Sequence, residues 1–374
     1  MIYLDNAATT KPYKDSLEKA AVFNDELYFN PSALYRGGLS CAKEIKSAKD
    51  TILKCIGATP SEYEVIFTSC GTEADNYAIF CSVKRGSFVT DKGEHSAVYK
   101  SFCELKNKGQ TVHFVDLNKD GSVNTDALYE YCKDNVVDFV SIMHVNNETG
   151  AINDVNDIAK NLKAINPKII FHSDGVQAFD KIAYKISPYV DMYTVSAHKI
   201  NALKGVGALI KRKKVNLAPY IIGGGQENGL RSGTENVFGI KVFQYSAEKH
   251  FENLSQNAES VLSLKEYMIK NLSEDFTILS GENSSPYILA VAVKGVRGEI
   301  MMHALEEKGI YVGNGSACSS KNRFSRVIEA CGYKNDVLDG VVRISFCAEN
   351  TMDEIVSATK TLNLCACELK RRMN

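Results

Sequence analysis

The chain lacks the features that mark several large classes of protein. It contains no run of about 20 apolar residues, so no membrane-spanning helix is predicted. It has no paired CxxC motifs and no GxxxxGK[ST] segment, so neither a zinc site nor a P-loop is predicted. Its formal net charge is −1, and the basic run at residues 211–214 is typical of a solvated loop. We expect no metal site, no contact with a membrane and no direct contact with nucleic acid.

The composition is that of an ordinary globular protein. The 374 residues are 44% hydrophobic and 24% charged, which is enough for one large domain and one smaller domain. The chain starts without a basic region followed by an apolar stretch, so no secretion signal is predicted. Its eleven cysteines show no disulfide-framework spacing and are typical of a reducing compartment. We therefore expect a soluble protein of the cytoplasm.

Hydrophobic periodicity predicts alternating helices and strands. The predicted helices cover residues 15–27, 40–56, 73–83, 237–272 and 299–308. The predicted strands cover residues 64–69, 87–90, 138–145, 168–173, 191–196, 206–210, 287–293 and 341–346. This order indicates an α/β protein with a largely parallel sheet.

The stretch at residues 191–199 is the centre of the interpretation. It is a strand that ends in Ser196, His198 and Lys199, and an earlier strand ends in Asp174, with Gln177 three residues later. The interval suits one strand-crossover-strand unit of a parallel sheet. Both strand ends then lie at one edge, where α/β folds bind ligands.

An amine that can form a Schiff base, beside a carboxylate that keeps a pyridine nitrogen protonated, is the pair that pyridoxal phosphate chemistry requires. Lys199 and Asp174 are the candidates. Taken alone, the two residues also fit a plainer interpretation, in which Asp174 caps a helix and Lys199 is a loop charge. Other segments must decide between the two.

Several other strands also end in polar residues. Cys70-Gly71-Thr72 follows the strand at 64–69 and precedes a helix, an arrangement that favours a phosphate dianion, although glycine often only turns a chain. Glu94-His95 and Asn146-Asn147-Glu148 follow two further strands. The glycine-rich residues 223–234 are either a flexible connector or a backbone that approaches another group closely. Purely structural strands usually end in turn-forming residues instead.

Two residues near the end of the chain stand out. Cys318 lies among Gly, Ser and Asn residues with Lys321 nearby, a setting that favours the thiolate, although an ordinary exposed loop cysteine fits as well. Arg343 interrupts an apolar strand. A buried arginine is costly unless it meets an anion such as a substrate carboxylate.

Together these segments resemble the cysteine desulfurases, pyridoxal phosphate enzymes of the class V aminotransferase group. The resemblance runs in consistent order from residue 2 to about residue 360. It rests on Leu4-Asp5-Asn6-Ala7-Ala8-Thr9-Thr10, Phe67-Thr68-Ser69-Cys70-Gly71-Thr72-Glu73, Glu94-His95, His144-Val145-Asn146-Asn147-Glu148, Asp174 with Gln177, Ser196-Ala197-His198-Lys199, Arg231-Ser232-Gly233-Thr234 and Gly315-Ser316-Ala317-Cys318.

The resemblance implies a type I pyridoxal-phosphate-dependent transferase fold, with a large domain built on a mainly parallel seven-stranded sheet and a smaller α/β C-terminal domain. We expect the large, cofactor-binding domain at residues 15–250. The small domain, which carries the catalytic cysteine, then comprises residues 1–14 and 251–374. The resemblance further implies a homodimer that converts L-cysteine to L-alanine and leaves sulfur on the enzyme as a persulfide. The Gly-Ser-Ala-Cys setting points to the branch with the longer catalytic loop.

The resemblance also implies a role for each matching residue. Lys199 would hold the cofactor as a Schiff base and His95 would stack on its ring, while Cys318 would be the nucleophile. The remaining cofactor contacts would come from Asp174 at the pyridine nitrogen, Gln177 at the ring hydroxyl, Gly71, Thr72, Ser196 and His198 at the phosphate, and Thr234 at the phosphate of the neighbouring subunit. Asn147, a further cofactor-site residue, and Arg343 would bind the substrate carboxylate.

Departures from the family pattern leave other readings open. Tyr35 replaces an expected histidine, Asn228 a common arginine and Asn314 a usual serine or glycine. The chain stops at Asn374, without the tail that some members use to dock an iron–sulfur scaffold, so we expect a different sulfur acceptor, for example one of tRNA thiolation or thiamin synthesis. A selenocysteine lyase, another class V aminotransferase and a non-catalytic scaffold are the alternatives.

Overall fold

Strands and helices alternate along most of the computed structural model, which describes residues 1–314 and 324–373. The strands are β1 Ile2–Leu4, β2 Tyr63–Thr68, β3 Ser87–Asp91, β4 Thr111–Val115, β5 Phe139–Ser141, β6 Ile170–Asp174, β7 Met192–Ser196, β8 Gly207–Arg212, β9 Phe276–Ile278, β10 Ile288–Val293, β11 Ile310–Val312 and β12 Val341–Ser345. The helices are α1 Lys14–Ala20, α2 Val22–Asp25, α3 Arg36–Cys55, α4 Gly71–Ser82, α5 Ser96–Asn107, α6 Thr125–Asp134, α7 Val155–Ile165, α8 Val237–Glu252, α9 Leu254–Asn271, α10 Gly298–Glu307, α11 Arg326–Ala330, α12 Asn335–Leu338 and α13 Met352–Met373.

The largest sheet has seven strands in the order β2-β8-β7-β6-β5-β3-β4. Strands β7, β6, β5, β3 and β4 are parallel to their neighbours in this order. Strand β8 runs antiparallel to both β2 and β7. The predicted fold class, an α/β protein with a mainly parallel seven-stranded sheet, is confirmed.

Helices cover both faces of this sheet because successive side chains on a strand point to opposite sides. On β2, Ile66 packs in a cluster with residues of α4 and α5. Its neighbours Val65 and Phe67 pack on the other face with residues of α3, α7 and α8. With both faces covered, the strand ends are the part of the sheet left to meet a ligand.

A second hydrophobic cluster lies around the three-stranded antiparallel sheet β12-β10-β9. Helices α9, α10 and α13 contribute to it, and so does Leu4, because β1 pairs in parallel with β11. Leu4 is fully buried, and burial of a side chain of this size stabilises the fold by ~1.5–3 kcal/mol. We propose that residues 1–14 and 251–374 form the small domain and residues 15–250 the large one.

Three predicted elements differ from those observed. The helix predicted at 15–27 is divided into α1 and α2, and the one predicted at 237–272 is divided at Asn253 into α8 and α9. The strand predicted at 138–145 ends at Ser141. Beyond it the chain turns, because the Asn146 side chain accepts hydrogen bonds from the backbone N–H groups of Glu148 and Thr149. In residues 1–314 and 324–373, none of the helices has both the length and the hydropathy that a membrane span requires.

Candidate active site

The ends of the parallel strands β6 and β7 open into a cavity of about 310 Å³. The two strands are neighbours in register, with Asp174 opposite Thr194. β7 ends at Ser196 and passes into a short 3₁₀ turn, Ala197–Lys199. The predicted residues that line the cavity are Gly71, Thr72, His95, Asn147, Asp174, Gln177, Ser196, His198, Lys199 and Arg343.

Lys199 is held against the segment that follows β1. Its Nζ donates hydrogen bonds to the carbonyl oxygens of Ala7 at 2.6 Å and Ala8 at 2.8 Å. The same segment is fixed to the strand end by Thr10, whose backbone N–H and hydroxyl both donate to the carbonyl oxygen of His198. The amine is therefore placed at the cavity by two carbonyl groups and a rigid strand end.

Asp174 ends β6 and is 4% exposed. Its Oδ1 accepts a hydrogen bond from the Val176 N–H at 2.9 Å. Burial raises the pKa of Asp174 to about 6, although the Val176 N–H and the charge of Lys199 both lower it. A cationic ring nitrogen beside this carboxylate would favour its ionised form.

His95 caps the start of α5. Its Nδ1 accepts a hydrogen bond from the Ala97 N–H at 3.2 Å, so the proton of the neutral ring lies on Nε2. Burial, together with the charges of Lys199, Arg326 and Arg343, lowers the pKa of His95 to about 4. The imidazole is thus neutral at pH 7, a state suited to stacking on an aromatic ring.

The start of α4, at residues 70–72, forms a binding site for an anion, which we call the anion seat. Cys70 is its N-cap residue and makes no side-chain capping hydrogen bond, which leaves the N–H groups of the first turn available. The Ser196 hydroxyl oxygen, buried beside this turn, has no hydrogen-bond partner among the described residues. Gly207 on β8 allows the close approach, because a Cβ there would lie 2.5 Å from the carbonyl carbon of Cys70.

Arg343 is buried at the other side of the cavity and already has an anionic partner. Its guanidinium donates to Asp5 Oδ1 at 2.8 Å and to the carbonyl oxygen of Asn147 at 2.9 Å. Asp5 thus supplies the anion that a buried arginine needs. The side-chain oxygen of Asn147 is buried and lacks a partner in the described part of the chain.

Gln177 uses both ends of its amide within the chain. Its Nε2 donates to the Ala7 carbonyl oxygen at 2.8 Å, and its Oε1 accepts from Lys181 Nζ at 3.1 Å. Lys181 is also buried, and burial together with the Lys199 charge lowers its pKa to about 7. The role of Gln177 at a ring hydroxyl stays a prediction.

One predicted residue lies away from this cavity, and another falls outside the described part of the chain. Thr234 lines a separate cleft with Ser69, Glu227 and Arg231. Cys318 lies in residues 315–323, outside the described part of the chain.

The sequence interpretation assigned no role to five residues at or beside the cavity: Asp5, Asp75, Glu148, Lys181 and Arg326. Asp75 follows Gly71 by four residues on α4, so helical spacing places it on the same face as the anion seat. Arg326 donates to the carbonyl oxygens of Lys92 and Glu94. No local sequence signal identifies that contact, because it joins segments more than 230 residues apart.

Known protein families and individual proteins resemble this chain over most of its length. A family model described as aminotransferase class-V matches residues 2–357. A Nostoc sp. protein named cysteine desulfurase is 34% identical over 365 residues, covering 95% of this chain and 90% of that protein. A Methanosarcina thermophila protein named cysteine desulfurase IscS is 32% identical over 364 residues, covering 95% of this chain and 89% of that protein.

Solved structures agree. One titled NIFS-like protein has a TM-score of 0.91 and 33% identity, and the match covers 98% of this chain and 100% of that chain. Another, titled SspA in complex with cysteine, has a TM-score of 0.82 and 29% identity, with 94% of this chain and 100% of that chain covered. The resemblance to the cysteine desulfurases is confirmed.

Proposed function

The chain belongs to the aminotransferase class-V family, and on that premise we propose that it is a pyridoxal-phosphate-dependent cysteine desulfurase that converts L-cysteine to L-alanine. The observation that carries the proposal is the meeting of Lys199, Asp174 and His95 in one cavity at the ends of neighbouring parallel strands. An amine, a carboxylate and a neutral imidazole together match what the cofactor requires.

The residues around the cavity fit pyridoxal phosphate. The uncapped start of α4 and the partnerless Ser196 hydroxyl suit a phosphate dianion, and the buried Asp174 suits a pyridine nitrogen. Lys199 would hold the cofactor covalently, with Gly71, Thr72, His198 and Gln177 as the further contacts. When bound, the cofactor supplies an electron sink that eases loss of a proton from the substrate Cα.

Arg343 and Asn147 would bind the substrate carboxylate. The side-chain oxygen and the carbonyl oxygen of Asn147 are acceptors, so the positive charge in this pair comes from Arg343. Asp5 accepts a hydrogen bond from the Arg343 guanidinium and so holds it in place. The Nε of Arg343 has no hydrogen-bond partner among the described residues. A carboxylate that enters beside Asn147 therefore meets a fixed cation.

Proton transfer would be divided between two groups. The Lys199 amine would accept the proton that leaves the substrate Cα, and the Nε2–H of His95, which lines the same cavity, would assist it. A positioned acid or base of this kind contributes ~10²–10⁴ in rate. The carbonyl oxygens of Ala7 and Ala8, on the segment after β1, accept hydrogen bonds from the Lys199 amine and so keep it at the cavity.

Cys318 would take the sulfur atom. Its thiolate attacks the substrate sulfur, the Cβ–S bond breaks and an S–S bond forms. The Cβ of the product then gains a proton, so L-cysteine plus the enzyme thiol becomes L-alanine plus the enzyme persulfide. An acceptor protein of iron–sulfur cluster, tRNA thiolation or thiamin synthesis would then receive the sulfur.

A homodimer would complete the site. Thr234 lies outside the cavity of its own chain. Several large apolar side chains are strongly exposed and would be available to a second copy: Tyr28, Leu34, Tyr35 and Leu39, which lie close together in sequence, and Ile222. Mixing Lys199→Ala protein with Thr234→Ala protein tests this arrangement. Hybrid dimers should be more active than either parent, because one site combines Lys199 of one chain with Thr234 of the other. No gain on mixing would contradict it.

Product analysis tests the activity itself. The purified protein with bound cofactor is incubated with L-cysteine and a thiol reductant, and alanine and sulfide are measured. Equal amounts of the two support the proposal. Turnover of selenocysteine alone would indicate a selenocysteine lyase, and exchange of an amino group with a keto acid would indicate an aminotransferase. No product from any of these substrates would favour a scaffold.

A further inference from the structure

A second buried carboxyl group lies beside Asp174 and has no role in the reaction described above. Asp75 lies on α4, four residues after Gly71, and is 1% exposed. One oxygen of Asp75, one oxygen of Asp174 and one ring nitrogen of His95 lie within 4.8 Å of one another. A negative charge on Asp75 would therefore act directly on Asp174 and on the space where the cofactor ring would lie.

The surroundings of Asp75 do not supply a compensating charge. Within residues 1–314 and 324–373, the one basic group at ion-pair distance is His172, whose Nε2 lies 3.7 Å from Asp75 Oδ1. Burial lowers the pKa of His172 to about 3, so its ring is neutral at pH 7. The ring nitrogens instead pair with the hydroxyls of Ser141 at 2.9 Å and Thr194 at 3.0 Å.

The other titratable groups that face Asp75 come from three elements. Cys70 is the N-cap residue of α4, Glu94 and His95 come from the loop before α5, and Asp174 comes from β6 with His172. Lys199 is the cation that acts on Asp174. Asp75 Oδ1 has no hydrogen-bond partner in the described ranges. Two like charges this close and this deeply buried strongly disfavour each other.

We propose that Asp75 is a positioning residue that keeps its proton, so that the single negative charge of the buried pair stays on Asp174 beside the ring nitrogen of the cofactor. The inference rests on the proposed function for the identity of that cofactor. If Asp75 were ionised, its negative charge would favour protonation of Asp174. A protonated Asp174 could no longer pair with a cationic ring nitrogen, and the electron sink would weaken.

The order of ionisation agrees with the geometry. Burial and the neighbouring Asp174 raise the pKa of Asp75 well above its usual range, although a hydrogen bond with the Thr194 hydroxyl lowers it. Burial raises the pKa of Asp174 only to about 6, because the Val176 N–H and Lys199 stabilise its anion. As pH rises, Asp174 therefore loses its proton first, and Asp75 stays neutral at pH 7.

Infrared difference spectroscopy with ¹³C-aspartate tests the protonation state without turnover. At pH 7 the labelled wild-type protein, with or without cofactor, should show a carboxylic acid C=O band that disappears in Asp75→Asn. Asp180→Asn is the control, since burial also raises the pKa of Asp180 and gives it a band of its own. The proposal would be overturned if the Asp75→Asn protein kept every carboxylic acid band of the wild type. It would also be overturned if Asp174→Asn removed the band.

The absorbance of the bound cofactor supplies the second measurement. Asp75→Asn has the shape and charge of the protonated acid, so its visible spectrum and pH titration should match those of the wild type. Asp174→Asn should shift both. A shift in Asp75→Asn like that of Asp174→Asn would contradict the proposal, because it would mean that a negative charge had been removed.

A second substitution of Asp75 keeps the test decisive. If Asp75→Asn does not fold, Asp75→Ser removes the same infrared band, and the two outcomes above apply to it. The test also distinguishes a failure of the proposed function from a failure of the role proposed for Asp75. If no alanine forms from L-cysteine but the band and spectra behave as described, the proposed function fails and the role of Asp75 stands. If alanine forms and Asp75 is ionised, the reverse holds.

Discussion

The amine of Lys199 donates a hydrogen bond to the carbonyl oxygen of Ala7 over 2.6 Å, although the two residues are 192 positions apart. The same carbonyl accepts from Gln177 Nε2 at 2.8 Å. Ala7 is itself fixed to β12, because its N–H donates to the Ser345 hydroxyl at 2.8 Å. The segment after β1 therefore connects the lysine of the large sheet to the second hydrophobic cluster.

The ion pair of Asp5 with Arg343 tests this connection. Asp5→Ala leaves a buried guanidinium without its carboxylate, so we expect a loss of ~3–5 kcal/mol in the free energy of unfolding and a raised KM for L-cysteine. Denaturant unfolding and initial rates measure the two effects. Asp15→Ala is the control, because its pair with Lys249 is exposed on both sides and contributes at most ~1 kcal/mol. Equal losses in the two variants would argue against the connection.

Replacement of Cys318 should separate sulfur transfer from the earlier proton step. In Cys318→Ala we expect sulfide release to fall by ~10²-fold or more, while exchange of the substrate Cα proton with deuterated water continues. Deuterium incorporation into recovered substrate, followed by mass spectrometry, measures that exchange. Cys367→Ala is the matched control and should behave as the wild type. Sulfide release at the wild-type rate in Cys318→Ala would assign the transfer to another group.

Gly207→Ala should weaken cofactor binding through the backbone of the anion seat. The added methyl group would lie 2.5 Å from the carbonyl carbon of Cys70 and 2.9 Å from the Gly71 nitrogen, so the start of α4 must move. Overpacking of this kind costs ~1–3 kcal/mol, and we expect the dissociation constant for pyridoxal phosphate to rise by about tenfold. Gly224→Ala, which meets only the end of the Gln226 side chain, should leave it unchanged. Equal binding in both variants would place the phosphate elsewhere.

Buried neutral histidines predict a loss of stability in acid. Burial lowers the pKa of His144 to about 4, below its unfolded value of 6.5, so the unfolded chain binds the extra proton between these pH values. The contribution of His144 to the free energy of unfolding is fully present above pH 6.5 and is lost as the pH falls toward 4. His144→Asn should reduce the slope of unfolding free energy there by up to ~1.4 kcal/mol per pH unit. An unchanged slope in His144→Asn would contradict the assignment.

The sequence predicted the sheet and most of the cavity because local signals mark them. Runs of β-branched residues identify the strands, and Asp174, Ser196 and Lys199 follow two of those strands directly. Partnerships between distant segments left no such signal. Asp5 with Arg343 joins residues 338 positions apart, and Asp75 acquires its neighbour Asp174 only when α4 packs over β6 and β7. Residues such as these are defined by packing rather than by spacing.

The covalent attachment site of the cofactor tests the central claim most directly. Borohydride reduction of the protein with bound pyridoxal phosphate fixes the cofactor to its lysine, and peptide mass spectrometry then locates it. We predict a single modified residue, Lys199, and no visible absorbance in Lys199→Ala protein. Lys181 is the critical comparison, because it is buried nearby and its lowered pKa also favours a reactive amine. Attachment at Lys181, or no attachment at all, would contradict the account.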